Sequence, residues 1–182
     1  GNTVALLVNK HVVRMNGYLP FRAHSSNLMV EYVDHRDAPN LPVRALQLVK
    51  DSLGFPDTRV VILTGDAGHG KTHLARSILE DFGRPPGEAM AALRDDPTGS
   101  RIIEAPAGRR PLRIVKDLSE ISPLVDAAAV LLAALASDPT RDPVWLICAN
   151  EGKLRQVVAS AGPDAAIVRQ TLERQLSTGE TT

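Results

Sequence analysis

Val60-Val61-Ile62-Leu63-Thr64-Gly65-Asp66-Ala67-Gly68-His69-Gly70-Lys71-Thr72 joins a branched apolar run to a glycine loop that ends in Lys-Thr. Residues 65 to 72 fit G-x-x-x-x-G-K-[ST], the phosphate-binding pattern called Walker A. The run from Arg59 to Leu63 predicts a strand. Leu74, Ala75, Ile78, Leu79 and Phe82 fall at helical spacing and predict a helix from about His73 to Asp81. Strand, glycine loop and helix is the context in which that pattern cradles phosphate. Gly65, Gly68 and Gly70 let the backbone turn tightly and aim N–H groups at one point, and the helix dipole adds positive potential. In such a loop Lys71 reaches the β- and γ-phosphates and Thr72 offers its hydroxyl to Mg²⁺. Asp66, Ala67, His69 and His73 complete the phosphate-contacting stretch. The two histidines have no metal-ligand company nearby and read as loop and helix-surface residues. ATP and Mg²⁺ are the expected cofactors.

Around this centre the chain reads as strands alternating with helices, which predicts an α/β fold with a mostly parallel sheet. Its 182 residues suffice for one ordinary domain. Hydrophobic content is 43% and aromatics only 3%, so the core must be built from Leu, Val, Ile and Ala. Val4 to Val8 and Leu28 to Val33 are strand-like, with Asn16-Gly17 as a turn signal between them. They predict a small β-rich extension over residues 1–36, ahead of a P-loop core over 37–182. Val43, Leu46, Val49 and Leu53 predict a helix before the first core strand, stopped by Gly54. Arg101 to Glu104 and Leu112 to Lys116 flank a basic turn and read as paired strands. Ser122-Pro123 reads as a serine cap with proline at the first helical position. Val144 to Ala149 is the most apolar strand candidate and is expected to be central. Helices are expected from Gly152 to Ala161 and from Asp164 to Leu176.

A phosphate site of this kind needs a carboxylate at the end of a neighbouring strand to hold Mg²⁺. Asp117, after Leu112 to Lys116, is the candidate; the alternative is an exposed turn aspartate. Hydrolysis also needs a group that orients or deprotonates water. The position after Asp117 is Leu118, which leaves Glu120 as the nearest acid and Glu104 as a second option. Asn150 ends the apolar strand and is expected beside Asp117 at the carboxyl edge of the sheet, where ligands sit in such folds. It reads equally as a helix cap. Lys71, Asp117, Glu120 and Asn150 are therefore the candidate catalytic residues, with Thr72 and Asp117 as metal ligands.

The order of these parts resembles the AAA+ ATPases and their relatives in the additional-strand P-loop class. The resemblance covers about residues 40 to 160 and implies a three-layer P-loop core. It makes Asp117 a Walker B aspartate and Asn150 the sensor 1 residue. The Walker B glutamate is replaced by Leu118, no sensor 2 arginine is assignable, and the helical lid of the family is missing from the expected layout. Arg155, Arg169 and Arg174 are candidate trans-acting fingers, although each also reads as a solvated helix residue. The resemblance implies an ATPase module acting on a protein partner, a second copy or DNA. A nucleotide-stabilised scaffold or nucleic-acid-binding module with little turnover is the alternative. A GTPase would need N-K-x-D after the loop, and the Asn-Lys pair Asn9-Lys10 precedes it. A small-molecule kinase would need a basic lid, for which Arg109-Arg110 is the candidate.

Formal net charge is zero, with 21 basic and 21 acidic residues, so charge alone implies no nucleic-acid partner. No apolar run approaches membrane-spanning length, and no membrane partner is expected. The single cysteine, Cys148, lies in an apolar run, which suits a reducing, cytoplasmic setting.

Overall fold

The computed structural model describes residues 3–9, 27–33, 43–65, 76–85, 87–88, 101–103, 108–170 and 172–173. Its elements are β1 (Thr3–Asn9), β2 (Asn27–Val33), α1 (Val43–Gly54), β3 (Thr58–Gly65), β4 (Arg101–Ile103), β5 (Leu112–Val115), α2 (Leu124–Ala136), β6 (Val144–Asn150) and α3 (Glu151–Ala161). Residues 76–81 form a further helical segment. Six strands make one sheet in the order β2-β1-β3-β6-β5-β4. All neighbours run parallel except β4, which pairs antiparallel with β5. The fold is α/β with a mostly parallel sheet, as the alternation of strand and helix patterns predicts.

The central strands are buried on both faces, which is why they are continuous apolar runs rather than alternating ones. Val60, Val61 and Ile62 are fully buried in β3, and β6 is buried from Val144 to Ala149. Val60, Ile62, Val115, Trp145, Ile147 and Ala149 share a core with Ala127 and Leu131 of α2 and Leu154 and Val158 of α3. By the period-two rule Val61, Leu63, Leu146 and Cys148 point the other way. There α1 packs on β3 and β6. Ile78, Leu79 and Phe82 are also buried, outside the first core. Lys50 of α1 lies 3.8 Å from Asp81, which ties the 76–81 segment to α1 on this second face.

β1 and β2 correct the expected N-terminal layout. They are parallel, with Leu6 opposite Val30; the turn signal at Asn16-Gly17 lies outside the described residues. β1 also pairs with β3 along its length, with Leu6 opposite Ile62. The strands at 3–9 and 27–33 therefore belong to the same sheet as the rest. A local turn signal says nothing about such a pairing, because parallel neighbours need a long crossover.

The start of α2 is a second correction. Pro123 is itself the N-cap residue, with extended backbone and no side-chain cap bond, and the Ser122-Pro123 peptide is cis. Ser122 therefore does not cap the helix, because the extended Pro123 stands between it and the first helical residue. Helix α3 stops where Gly162 takes φ +77, a left-handed setting that suits a residue without Cβ.

Candidate functional site

The parallel register brings the carboxyl ends of β3, β6 and β5 to one edge. Gly65, the first residue of the glycine-loop pattern, stands directly opposite Asn150 at the end of β6. On the other side of β6, Val115 stands opposite Ile147, and the chain then turns out of the sheet toward Asp117. Strand β6 thus lies between the strand that feeds the glycine loop and the strand that feeds the candidate metal acid. Asp66, Ala67, Gly68, His69, Gly70, Lys71, Thr72 and His73 lie outside the described residues, as does Glu104.

Asn150 is half-buried with an extended backbone (φ −74, ψ 155). Its Oδ1 accepts from Lys153 N at 2.7 Å and so caps α3. With Oδ1 committed, the side chain has its Nδ2 donor to offer a ligand. Asn150 falls on the same strand face as Leu146 and Cys148, the side occupied by α1 and the 76–81 segment.

Asp117 is half-buried and caps the 3-10 turn Leu118–Glu120, its Oδ1 accepting from Ser119 N at 2.9 Å. Beside it, Ser119 Oγ is buried with no hydrogen-bond partner. A carboxylate with a neighbouring hydroxyl is a hard-oxygen donor set of the kind Mg²⁺ prefers, with phosphates and water as its other ligands. Among the described residues no group of three or more acidic, histidine or cysteine side chains is placed to hold a metal.

Leu118, at the position where the resembled family carries glutamate, is 0% exposed and packs in the α2–α3 core. The 3-10 turn rotates this side chain inward, so position 118 does not face the carboxyl edge. Glu120 is 60% exposed and ion-paired with Lys116 at 3.5 Å, so its carboxylate is held on the outer surface of its own turn. Strand β4 runs against the others, with Ile103 opposite Leu112, so its carboxyl end leaves the sheet at the edge away from Asn150 and Asp117.

No family model, curated protein or solved structure matches this chain. The site is therefore read from its own geometry.

Sequence reasoning passed over Glu151. It is the first residue of α3, its side chain is 14% exposed, and Oε1 lies 3.1 Å from the Arg155 guanidinium. The signal that finds it is the spacing of Glu151, Leu154 and Val158, which puts the carboxylate on the inward face of the helix. The same contact ties down Arg155 within its own helix. Arg169 is exposed, and Arg174 lies outside the described residues.

The basic turn is occupied as well. Arg109 lies 3.2 Å from Asp81 with its guanidinium over the Phe82 ring at 3.9 Å. Arg110 donates to the carbonyls of Thr58 at 2.8 Å and of Phe55 and Pro56 at 3.4 Å. Burial pushes the Arg110 guanidinium down from its ordinary value, opposed by Asp142 and Asp57. Arg113 stacks over Trp145 at 5.1 Å. These arginines bind the hairpin to the body of the protein, at the edge opposite Asn150. No helix among the described residues is long and apolar enough to cross a membrane.

Proposed function

We propose that the chain binds Mg-ATP at the carboxyl edge of its sheet, as a P-loop ATPase module of AAA+ type that couples nucleotide state to a protein or nucleic-acid partner. The observation that carries this reading is the register of Gly65 opposite Asn150, with β6 interposed between β3 and β5. The glycine-loop pattern then starts at the edge that also presents Asp117 and Asn150. An interposed strand ending in a polar residue is the arrangement of the additional-strand class.

In this reading the loop amides and Lys71 hold the β- and γ-phosphates. Thr72 and Asp117 hold Mg²⁺, which neutralises charge on the phosphates when bound. Asn150 turns its Nδ2 donor toward the γ-phosphate or the attacking water. Because Asn150 also caps α3, contact with the γ-phosphate would be felt at the first turn of that helix, a route from nucleotide state to partner.

Calorimetry of ATP and GTP binding tests the proposal. Wild-type protein is expected to bind ATP, and Lys71→Ala to weaken it by at least about tenfold, since the ammonium is the mobile cation of the loop. Indifference to both nucleotides at millimolar concentration would remove the reading. A strong preference for GTP would redirect it.

The burial of Leu118 favours a second reading, a nucleotide-stabilised scaffold with little turnover. Binding without measurable phosphate release would select it.

A further inference from the structure

We propose that the outward face of α2 packs on α2 of a second copy of this chain, antiparallel across a two-fold axis, with Asp126 of each copy opposite Arg141 of the other. Such pairing does not require the chain to bind nucleotide.

Helix α2 carries one charged side chain along its length, Asp126. Its inner face, Ala127, Ala128, Leu131 and Ala134, is buried in the core. At about 100° per residue, Val125, Asp126, Ala129, Leu132, Ala133 and Ala136 share the opposite arc. Val125 is 64% exposed, Ala129, Ala133 and Ala136 are exposed, and Leu132 is half-buried. A surface helix ordinarily turns polar side chains to that side. Helices α1 and α3 do so, exposing Gln47 and Asp51 on the first and Gln156 and Ser160 on the second. A helix that is apolar all round is one that is covered all round.

The charges at the two ends of the face say what covers it. Asp126, in the first turn, makes no side-chain hydrogen bond or ion pair among the described residues. At the other end, the turn after α2 holds Arg141. Its side chain is 81% exposed and commits only Nε, to Asp138 at 3.1 Å. The carboxylates beside it are engaged within the turn. Asp138 accepts from Thr140 N and Oγ1, and Asp142 accepts from Asp138 N. The face therefore ends in an unpaired acid on one side and a base with free donors on the other. Turned about a two-fold axis it is complementary to itself, as an isologous contact requires. With the axis near Ala133, Asp126 lies about 10 Å from it along the helix and meets the turn 138–141 of the other copy. Ala129 and Ala133, at the crossing, have no bulk to hold the two helices apart. A face about 20 Å long is smaller than a standard interface, so the dimer is weak and forms with rising concentration.

Sedimentation velocity of the full chain from micromolar to millimolar concentration tests the proposal. Wild type is expected to pass from monomer to dimer. Ala133→Lys places an unpaired charge at the crossing and should weaken the dimer at least about tenfold. Asp126→Arg and Arg141→Asp each set like charges opposite one another and should weaken it about tenfold. The double charge swap should return it to within about threefold of wild type, since the two effects are coupled across the interface. Thermal melts at micromolar concentration, where the monomer prevails, show that each variant folds; the charge swaps decide the matter if Ala133→Lys does not. The proposal is overturned if wild type stays monomeric at millimolar concentration, if Ala133→Lys folds and dimerises as wild type does, or if the double swap is no tighter than either single one. Monomeric wild type that floats with phosphatidylcholine vesicles would also overturn it, and would assign the face to lipid.

Discussion

Asn150 has one side-chain oxygen and one side-chain nitrogen, and the fold uses the oxygen to cap α3. Replacing it by alanine should therefore act twice. Loss of the cap should lower stability by about 1 kcal/mol. Loss of Nδ2 should weaken any contact with a γ-phosphate. Asn150→Asp separates the two, because it keeps an oxygen for Lys153 N and discards the donor. Denaturant melts should show the aspartate variant near wild type and the alanine variant below it, while ATP affinity falls in both. Leu118 makes a parallel case in the core. Truncating this fully buried leucine to alanine should cost about 2–5 kcal/mol. Leu118→Glu, the substitution that family resemblance would suggest as a repair, should unfold the protein rather than accelerate it. Urea denaturation checks both, and a stable, faster Leu118→Glu variant would contradict the described turn.

At the scale of the element, the β4–β5 hairpin is fixed to the body of the protein by its basic turn. Arg110 reaches the carbonyls of Phe55 and Pro56, between α1 and β3, and that of Thr58 at the start of β3. Arg110→Ala should destabilise by about 2 kcal/mol, the scale of lost hydrogen bonds from a charged group. Gly108 holds φ +83 with open space where a Cβ would go, so Gly108→Ala meets strain in the backbone alone. A melt should show a loss of about 1–2 kcal/mol. The same scale shows what the sequence could disclose. β3 and β6 were legible because a strand buried on both faces writes itself as an unbroken apolar run. α1 and α3 were legible through their spacing, and α1 also through Gly54, which ends it. The partner of β1 was not, since parallel pairing joins residues far apart in sequence and leaves no local mark. Ser122-Pro123 misled because a serine before proline carries the same letters whether proline opens the helix or caps it. Glu151 was hidden by its ordinariness, as an acidic first-turn residue is expected on any helix. Only its shared face with Leu154 and Val158 separates it from a solvated one.

For the whole molecule, the sheet runs across the boundary drawn near residue 36. β3, the strand that leads to the glycine loop, is hydrogen-bonded to β1 on one side and β6 on the other. Removing residues 1–36 would strip two strands and turn β3 into an edge with a row of unpaired backbone groups. The shortened protein is expected to aggregate or to melt well below the full chain, measured by size-exclusion chromatography and circular dichroism. An equally stable, monomeric 37–182 piece would show that the first two strands are dispensable.

The interposed strand has a consequence for the order in which a site could fill. Two strand spacings separate β3 from β5, about 9.5 Å between their axes. In the proposed site the two protein oxygens of Thr72 and Asp117 would leave most of the octahedral shell of an ion to phosphate and water. Magnesium alone should therefore bind weakly, and its affinity should rise steeply once a triphosphate is seated, so that the nucleotide recruits its own metal.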